Sequence, residues 1–134
     1  KYFLRYPRLL HARYGREYVD YLMPQIYWGY TNEEAPFDKT LEEWIDLTKN
    51  SNVKLYVGLQ LYRMGTNDTG QSDHAELQDA GLIERELTQL QSEKKVGGYC
   101  FFSYQYLDVD NKTYAFDSNE FAESRKKILK TIFP

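Results

Sequence analysis

Tyr18-Val-Asp-Tyr-Leu-Met-Pro-Gln-Ile-Tyr-Trp28 is the first of three strand-like segments that decide the fold. The other two are Val53-Lys-Leu-Tyr-Val-Gly-Leu-Gln-Leu-Tyr62 and Val96-Gly-Gly-Tyr-Cys-Phe-Phe-Ser-Tyr104. A loop and an amphipathic helical pattern follow each segment. Strands separated by helices cannot pair as hairpins, so we expect parallel strands joined by right-handed crossovers. In such folds ligands bind at the carboxyl ends of the strands, where this sequence concentrates Gln, Tyr, Trp and Ser.

The helical patterns have bounds that the sequence predicts. A first helix is expected from about Asp38 to Lys49, where apolar residues recur at helical spacing. A second covers roughly 74–93, and Gly81 is expected to kink it or split it in two. A last helix runs from about 118 to 131, and a short one is expected near Leu9–Arg13.

Side-chain alternation along the strands favours one architecture over another. One face of each segment is mainly aliphatic, and the other carries Gln, Tyr, Gly or Ser, including Gln25 and Gln60. A buried glutamine needs hydrogen-bond partners. That face therefore suits the ligand-bearing mouth of a (β/α)8 TIM barrel better than a doubly wound open sheet, which buries both faces under helices.

Chain length limits how much of such a barrel is present. A (β/α)8 barrel needs about 250 residues, whereas this chain has 134. We therefore expect an α/β fold that is a partial TIM barrel. Residues 1–134 would form the carboxyl-terminal three βα units of one domain, strands six to eight, with a short amino-terminal helix. Such a piece would expose an aromatic sheet face and two sheet edges unless the missing amino-terminal half or another copy covered them.

Composition and charge exclude several classes of function. Hydrophobic residues make up 42% and charged residues 28% of the chain, which is typical of a soluble globular protein. The net charge is −3 and there is no long basic run, so nucleic acid is not an expected partner. No apolar stretch approaches the roughly 20 residues of a membrane span. Cys100 is the only cysteine, and its position among apolar residues predicts a small core side chain.

No metal or cofactor is expected. The two histidines, His11 and His74, lack the companions of a metal-ligand cluster. Residues 108–111 begin like a calcium loop but lack its later glycine and terminal glutamate. The sequence has no Gly-rich phosphate loop, dinucleotide fingerprint or nucleophile elbow.

The candidate binding residues are amide, hydroxyl and aromatic side chains near the strand ends. Glutamine can bond paired sugar hydroxyls, and aromatic rings offer flat apolar faces to sugar rings. Thirteen tyrosines and an aromatic content of 16% favour such a ligand. The predicted carbohydrate-binding residues are Gln25, Tyr27, Trp28, Gln60, Tyr62, Ser103 and Tyr104.

Catalytic carboxylates are harder to assign. Glycoside hydrolysis normally uses two carboxyl groups, about 5–5.5 Å apart for retention or about 6.5–9.5 Å for inversion. None of the three strands ends in Asp or Glu. Glu33 and Glu34 follow the first strand and are the candidates within this chain. The chain itself is expected to be a piece of a longer protein.

A resemblance to a known family agrees with this reasoning. Pro-Gln-Ile-Tyr-Trp at 24–28 and Phe-Phe-Ser-Tyr at 101–104, in this order and spacing, resemble the carboxyl-terminal portion of the glycosyl-hydrolase-like family 10 proteins. The resemblance covers about 18–133. It implies a TIM barrel that acts on carbohydrate, such as the glycan strands of bacterial peptidoglycan, in an extracytoplasmic location. It also implies that the acid–base carboxylates lie on a middle strand upstream of this chain.

Three functions remain open at this point. The first is the substrate-binding part of a TIM-barrel glycosidase. The second is a non-catalytic barrel that binds carbohydrate. The third is a structural piece that forms homo-oligomers through its open sheet edges.

Overall fold

The computed structural model describes residues 19–66, 69–108 and 119–133. Strands and helices alternate along these residues, and the helix expected at Leu9–Arg13 lies outside them. The elements in chain order are β1 (Tyr21–Leu22), β2 (Gln25–Ile26), α1 (Phe37–Thr48), β3 (Lys54–Gln60), α2 (His74–Leu77), α3 (Leu82–Ser92), β4 (Val96–Phe102), a 3-10 turn (Tyr104–Tyr106) and α4 (Asn119–Ile132).

All four strands belong to one parallel sheet with β3 at its centre. Both β1 and β2 pair with one side of β3, and β4 pairs with the other. The first predicted strand is divided because Pro24 has no N–H to donate to a ladder. Its carbonyl still accepts a hydrogen bond from the Gly58 N–H at 2.8 Å. The predicted α/β fold with parallel strands is confirmed.

The hydrophobic core lies between one face of the sheet and the helices. The central strand supplies aliphatic side chains at alternate positions, and Leu55, Val57 and Leu59 are fully buried. Phe37 and Leu41 of α1 are buried beside them. Burial of each such side chain contributes roughly 1.5–3 kcal/mol, which fixes the face of β3 that the helices cover.

The predicted split of the second helix is confirmed. The Asp79 carboxylate accepts a hydrogen bond from the Gly81 N–H at 2.8 Å. This local bond closes a turn between the end of α2 at Leu77 and the start of α3 at Leu82.

Cys100 corrects the alternation predicted for the third strand-like segment, which is β4 in the structure. Leu55 pairs with Val96 but Tyr56 pairs with Gly98, so one extra residue, Gly97, interrupts the register. This irregularity shifts the alternation by one position for the rest of β4. Residues 99 and 101 therefore pack against the core, whereas Cys100 is exposed on the opposite face. The prediction of a core cysteine was wrong.

The other face of the sheet carries no helix in the described structure. Large apolar side chains are exposed there, among them Tyr21, Met23 and Phe102. The Tyr21 and Tyr56 rings meet edge to face, with centroids 5.9 Å apart. We call this surface, with Cys100, the open face. Among the described helices, none combines the length and apolarity of a membrane span.

Candidate functional site

Three aromatic rings meet where the strands end. Tyr27 follows β2, Tyr62 lies two residues after β3, and Phe102 is the last residue of β4. Because parallel strands end at the same edge of a sheet, the rings come together from distant parts of the sequence. We call these three residues the aromatic cluster.

The geometry of the aromatic cluster is that of mutually packed rings. The Tyr27 centroid lies 5.9 Å from that of Tyr62 and 6.1 Å from that of Phe102. Tyr62 and Phe102 complete the triangle at 5.9 Å with nearly perpendicular planes. These separations are within the range of favourable aromatic pairs. The cluster offers a partly exposed apolar surface beside two phenol groups.

Burial raises the pKa of the Tyr27 phenol above its usual value of 10.0, and nearby Cys100 and Tyr62 raise it further. The phenol is therefore neutral in the physiological range and can both donate and accept a hydrogen bond.

Gln60 lies beneath the cluster, with 0% of its surface exposed. The amide orientation that satisfies its surroundings has the nitrogen donating to the Tyr27 carbonyl. Its oxygen then accepts from the Trp28 N–H at 3.2 Å. A buried amide on the central strand thus binds the main chain of its neighbour, as a buried glutamine requires.

Two charged side chains join the same segment. Arg63 donates through Nη1 to the Tyr27 carbonyl at 2.6 Å, and Asp73 Oδ2 accepts from the Gly29 N–H at 2.7 Å. Arg63 Nη2 and Asp73 Oδ1 are 3.8 Å apart, and their side chains are 12% and 0% exposed. The two charges therefore interact in a region of low dielectric.

The loop after β2 is tied down at several points. Asn32 Oδ1 accepts hydrogen bonds from the backbone N–H groups of Glu34 and Ala35. The Glu33 N–H donates to Ser72 Oγ at 3.0 Å. Both Glu33 and Glu34 are exposed. These bonds fix the loop main chain while leaving both carboxylates in solvent.

Glu76 fixes the start of that loop. Its Oε2 accepts from the N–H and the hydroxyl of Thr31, at 2.9 and 3.0 Å, and its Oε1 lies 3.2 Å from Arg85 Nη2. A Cβ at Gly29 would lie 2.9 Å from the Glu76 carboxyl carbon and closer still to Oε2. A larger residue at position 29 would therefore force the Glu76 carboxylate to move.

Sequence reasoning missed a buried carboxyl group on α3. Glu86 is fully buried, and neither of its oxygens has a hydrogen-bond partner among the described residues. Burial raises its pKa well above 4.5; Glu76 and then Asp73 raise it further, and Arg85 lowers it. A signal was present, because Glu86 occupies the apolar stripe formed by 82, 83, 87 and 90.

Tyr30 lies in the same surroundings. Burial raises the pKa of its phenol to about 12, and the nearby Glu86 carboxyl contributes to the rise. Its ring also packs against that of Phe37, with centroids 5.2 Å apart.

The remaining predicted binding residues occupy different positions. Gln25 is exposed and pairs in register with Gly58. Trp28 packs against the core. Ser103 is partly buried, and Tyr104 is highly exposed at the start of the 3-10 turn. Sequence reasoning did not select Phe102, because the alternation of β4 was misplaced by the extra residue at 97.

No group of three His, Cys, Asp or Glu side chains is placed to hold a metal ion in the part of the chain that the structure describes.

Comparison with known proteins finds relatives that are named glycosyl hydrolases. The chain is 26% identical over 90 residues to a protein named glycosyl hydrolase DigH from Escherichia coli strain K12, a match that covers 67% of this chain and 20% of the relative. It is 34% identical over 70 residues to glycosyl hydrolase YngK from Bacillus subtilis strain 168, covering 52% of this chain and 14% of that protein.

The chain is a distant homologue of proteins named glycosyl hydrolases. The matched part of the chain spans a fifth or less of the length of these relatives. No known family profile and no solved structure matches it.

Proposed function

We propose that this chain forms the carbohydrate-binding carboxyl-terminal part of a (β/α)8-barrel glycoside hydrolase. The aromatic cluster is the observation that carries the proposal. Three adjacent parallel strands bring Tyr27, Tyr62 and Phe102 to one edge, the edge at which barrels of this kind bind ligands. The named glycosyl hydrolase relatives favour a sugar as the ligand.

The open face supports the barrel part of the proposal. Helices cover one face of the sheet, whereas Tyr21, Met23 and Phe102 are exposed on the other. An apolar surface of this kind normally has a covering partner. In a complete barrel the open face would turn inward, and β4 and the β1–β2 pair would each join a further strand.

Within this proposal the chain supplies binding and the rest of the barrel supplies the acid and base. The described strand ends carry amides and aromatic rings, and Glu33 and Glu34 are solvated loop residues. Either glutamate remains a candidate if the upstream strands lack a carboxyl pair. The proposed substrate is the glycan strand of peptidoglycan, which would place the protein outside the cytoplasm.

A matched pair of phenylalanine variants tests the binding site. Phe102→Ala removes one ring of the cluster, whereas Phe133→Ala removes a ring that is even more exposed, 73% against 55%, just after α4. In the protein that contains this chain, Phe102→Ala should weaken binding of peptide-free peptidoglycan glycan strands by about tenfold, the scale of one buried anchor. Phe133→Ala should leave binding unchanged. Equal effects of the two variants would contradict the proposed site.

Release of reducing ends from the same glycan separates hydrolysis from binding. Turnover that falls with Phe102→Ala supports the glycosidase. Binding without turnover by the unaltered protein would instead favour the non-catalytic carbohydrate-binding function, which the exposed aromatic cluster also suits.

A further inference from the structure

The peptide segment that carries Tyr27 is held mainly by side chains. The ladder between β2 and β3 ends with Ile26 opposite Leu59. Beyond that point the backbone groups of 27–29 need other partners, because buried main-chain donors and acceptors are rarely left unpaired. The partners that the described residues provide include four hydrogen bonds from side chains and one from the backbone, with the Gln60 amide in the orientation that satisfies its surroundings.

The side-chain bonds come from three residues distant in sequence. The Tyr27 carbonyl accepts from Arg63 and Gln60, the Trp28 N–H donates to Gln60, and the Gly29 N–H donates to Asp73. The fifth bond runs from the Phe37 N–H to the Gly29 carbonyl at 3.0 Å. Every bond in the set constrains the main chain immediately around the Tyr27 ring.

The charge of the two ionised residues strengthens this arrangement. Asp73 is fully buried and Arg63 nearly so, and hydrogen bonds with an ionised partner are about twice as strong as neutral ones. A planar guanidinium can hold the Tyr27 carbonyl with one nitrogen while the other faces Asp73, which a lysine ammonium cannot reproduce.

We infer that Arg63 and Asp73 are positioning residues for carbohydrate binding: by holding the main chain of 27–29 they fix the Tyr27 ring against Tyr62 and Phe102. This inference rests on the proposed function for its ligand. The placement of the Tyr27 ring can be measured separately from carbohydrate binding. Neither side chain contacts the sugar in this proposal.

Aromatic NMR signals of Tyr27 report the placement of the ring. A ring packed 6.1 Å from Phe102 and 5.9 Å from Tyr62 experiences their ring currents. Arg63→Lys keeps the positive charge but removes the planar guanidinium with its two donor nitrogens. Asp73→Ala removes the oxygen that accepts from the Gly29 N–H, whereas Asp73→Asn retains an oxygen acceptor. We expect displaced Tyr27 signals in the first two variants and a partial return toward the native signals with Asp73→Asn. Methyl signals of Ile26 and Leu59 should stay in place in all three.

Arg85→Lys is the matched control. Arg85 is 46% exposed, and its described ion pairs are with Glu76 and Asp79. The same substitution there should leave the Tyr27 ring signals unchanged. If instead Arg63→Lys leaves the Tyr27 signals unchanged, or if Arg85→Lys displaces them equally, the positioning role is overturned.

Binding of soluble peptide-free peptidoglycan glycan strands by the same proteins tests the role in carbohydrate binding. We expect the dissociation constant to rise about tenfold in Arg63→Lys, with no change in Arg85→Lys. Displaced Tyr27 signals with unchanged affinity would overturn the role in binding. Should the unaltered protein fail to bind the glycan, the proposed function fails, and the Tyr27 signals still decide whether Arg63 and Asp73 position the ring.

Discussion

The central strand and the first strand of this sheet are stabilised in different ways. Lys54–Gln60 is a continuous strand with partners on both sides, and its aliphatic side chains are fully buried. The first predicted strand consists of β1 and β2, two residues each, separated by Met23 and Pro24. The side chains of Tyr21 and Met23 are exposed. The carboxyl end of this strand is held by the side chains of buried and charged neighbours. The difference shows that the scaffold depends on apolar burial, whereas the candidate site depends on specific polar contacts.

Truncation of a core side chain on the central strand should produce the largest loss of stability. Leu59 is fully buried between the sheet and the helices. Leu59→Ala should lower the free energy of unfolding by about 2–5 kcal/mol, the range for large-to-small core substitutions. Urea unfolding measures this value. Met23→Ala, on the exposed first strand, is the comparison and should cost far less; equal losses would contradict the contrast between the strands.

A methyl group at Gly29 should disturb the polar anchoring of the first strand. The added Cβ would collide with the Glu76 carboxylate, so Gly29→Ala should cost about 1–3 kcal/mol, as for overpacking. A double-mutant cycle with Glu76→Ala tests the cause. The cost of Gly29→Ala should shrink in the Glu76→Ala background, and an unchanged cost would show that another contact is responsible.

Glu86→Gln should change how stability depends on pH. The pKa of Glu86 is raised in the folded protein, so the folded state holds this proton more tightly than the unfolded state. Its effect on stability is most favourable below the unfolded pKa of about 4.3 and is lost as pH rises toward the folded value. Glu76, Asp73, Arg85 and Tyr30 are the charged and titratable groups around it.

Denaturant unfolding of Glu86→Gln and the unaltered chain between about pH 5 and 8 measures this difference. The variant should lose less stability as pH rises, because the group that ionises has been removed. Glu84→Gln, a more exposed position on the same helix, is the control and should keep the native slope. Parallel profiles for all three proteins would show that Glu86 titrates normally.

Substitution of Cys100 should produce the smallest change in stability, and the reactivity of its thiol tests whether the open face is covered in a longer protein. Its side chain is exposed beyond the extra residue of β4, so Cys100→Ser should change stability by less than about 0.5 kcal/mol. In the isolated chain a thiol reagent should modify Cys100 without denaturant. In a longer protein with a complete barrel the thiol should be protected, and equal reactivity in both would contradict an inward-facing open face.

Particular elements show how far sequence reasoning reached. Strict alternation in β3 and helical spacing in α3 are local patterns, and the predicted elements were found within a few residues. Gly81 marked the helix break because its neighbour Asp79 can bond the local backbone. The pattern failed at Gly97, since a single extra residue reverses every later side chain and leaves no periodic trace in so short a strand.

The candidate site was only partly accessible from sequence. Tyr27 and Tyr62 were selected because they stand at strand ends, whereas Phe102 was hidden by the misplaced alternation. Gln60 was selected as a ligand contact, and the structure shows its amide engaged with the neighbouring main chain; its contact with sugar stays a prediction. Arg63 and Asp73 could not be paired in advance, because a loop of nine residues separates them.

The sequence by itself determined the parallel α/β order, the aliphatic face of the central strand and the aromatic character of the strand ends. These features follow from local periodicity, which depends on neighbouring residues alone. The tertiary structure decided which rings meet, which polar side chains hold the segment 27–29, and which carboxyl group is buried without a hydrogen bond among the described residues. Those outcomes depend on strand register and on contacts between residues far apart in the chain, where a shift of one position exchanges a buried side chain for an exposed one.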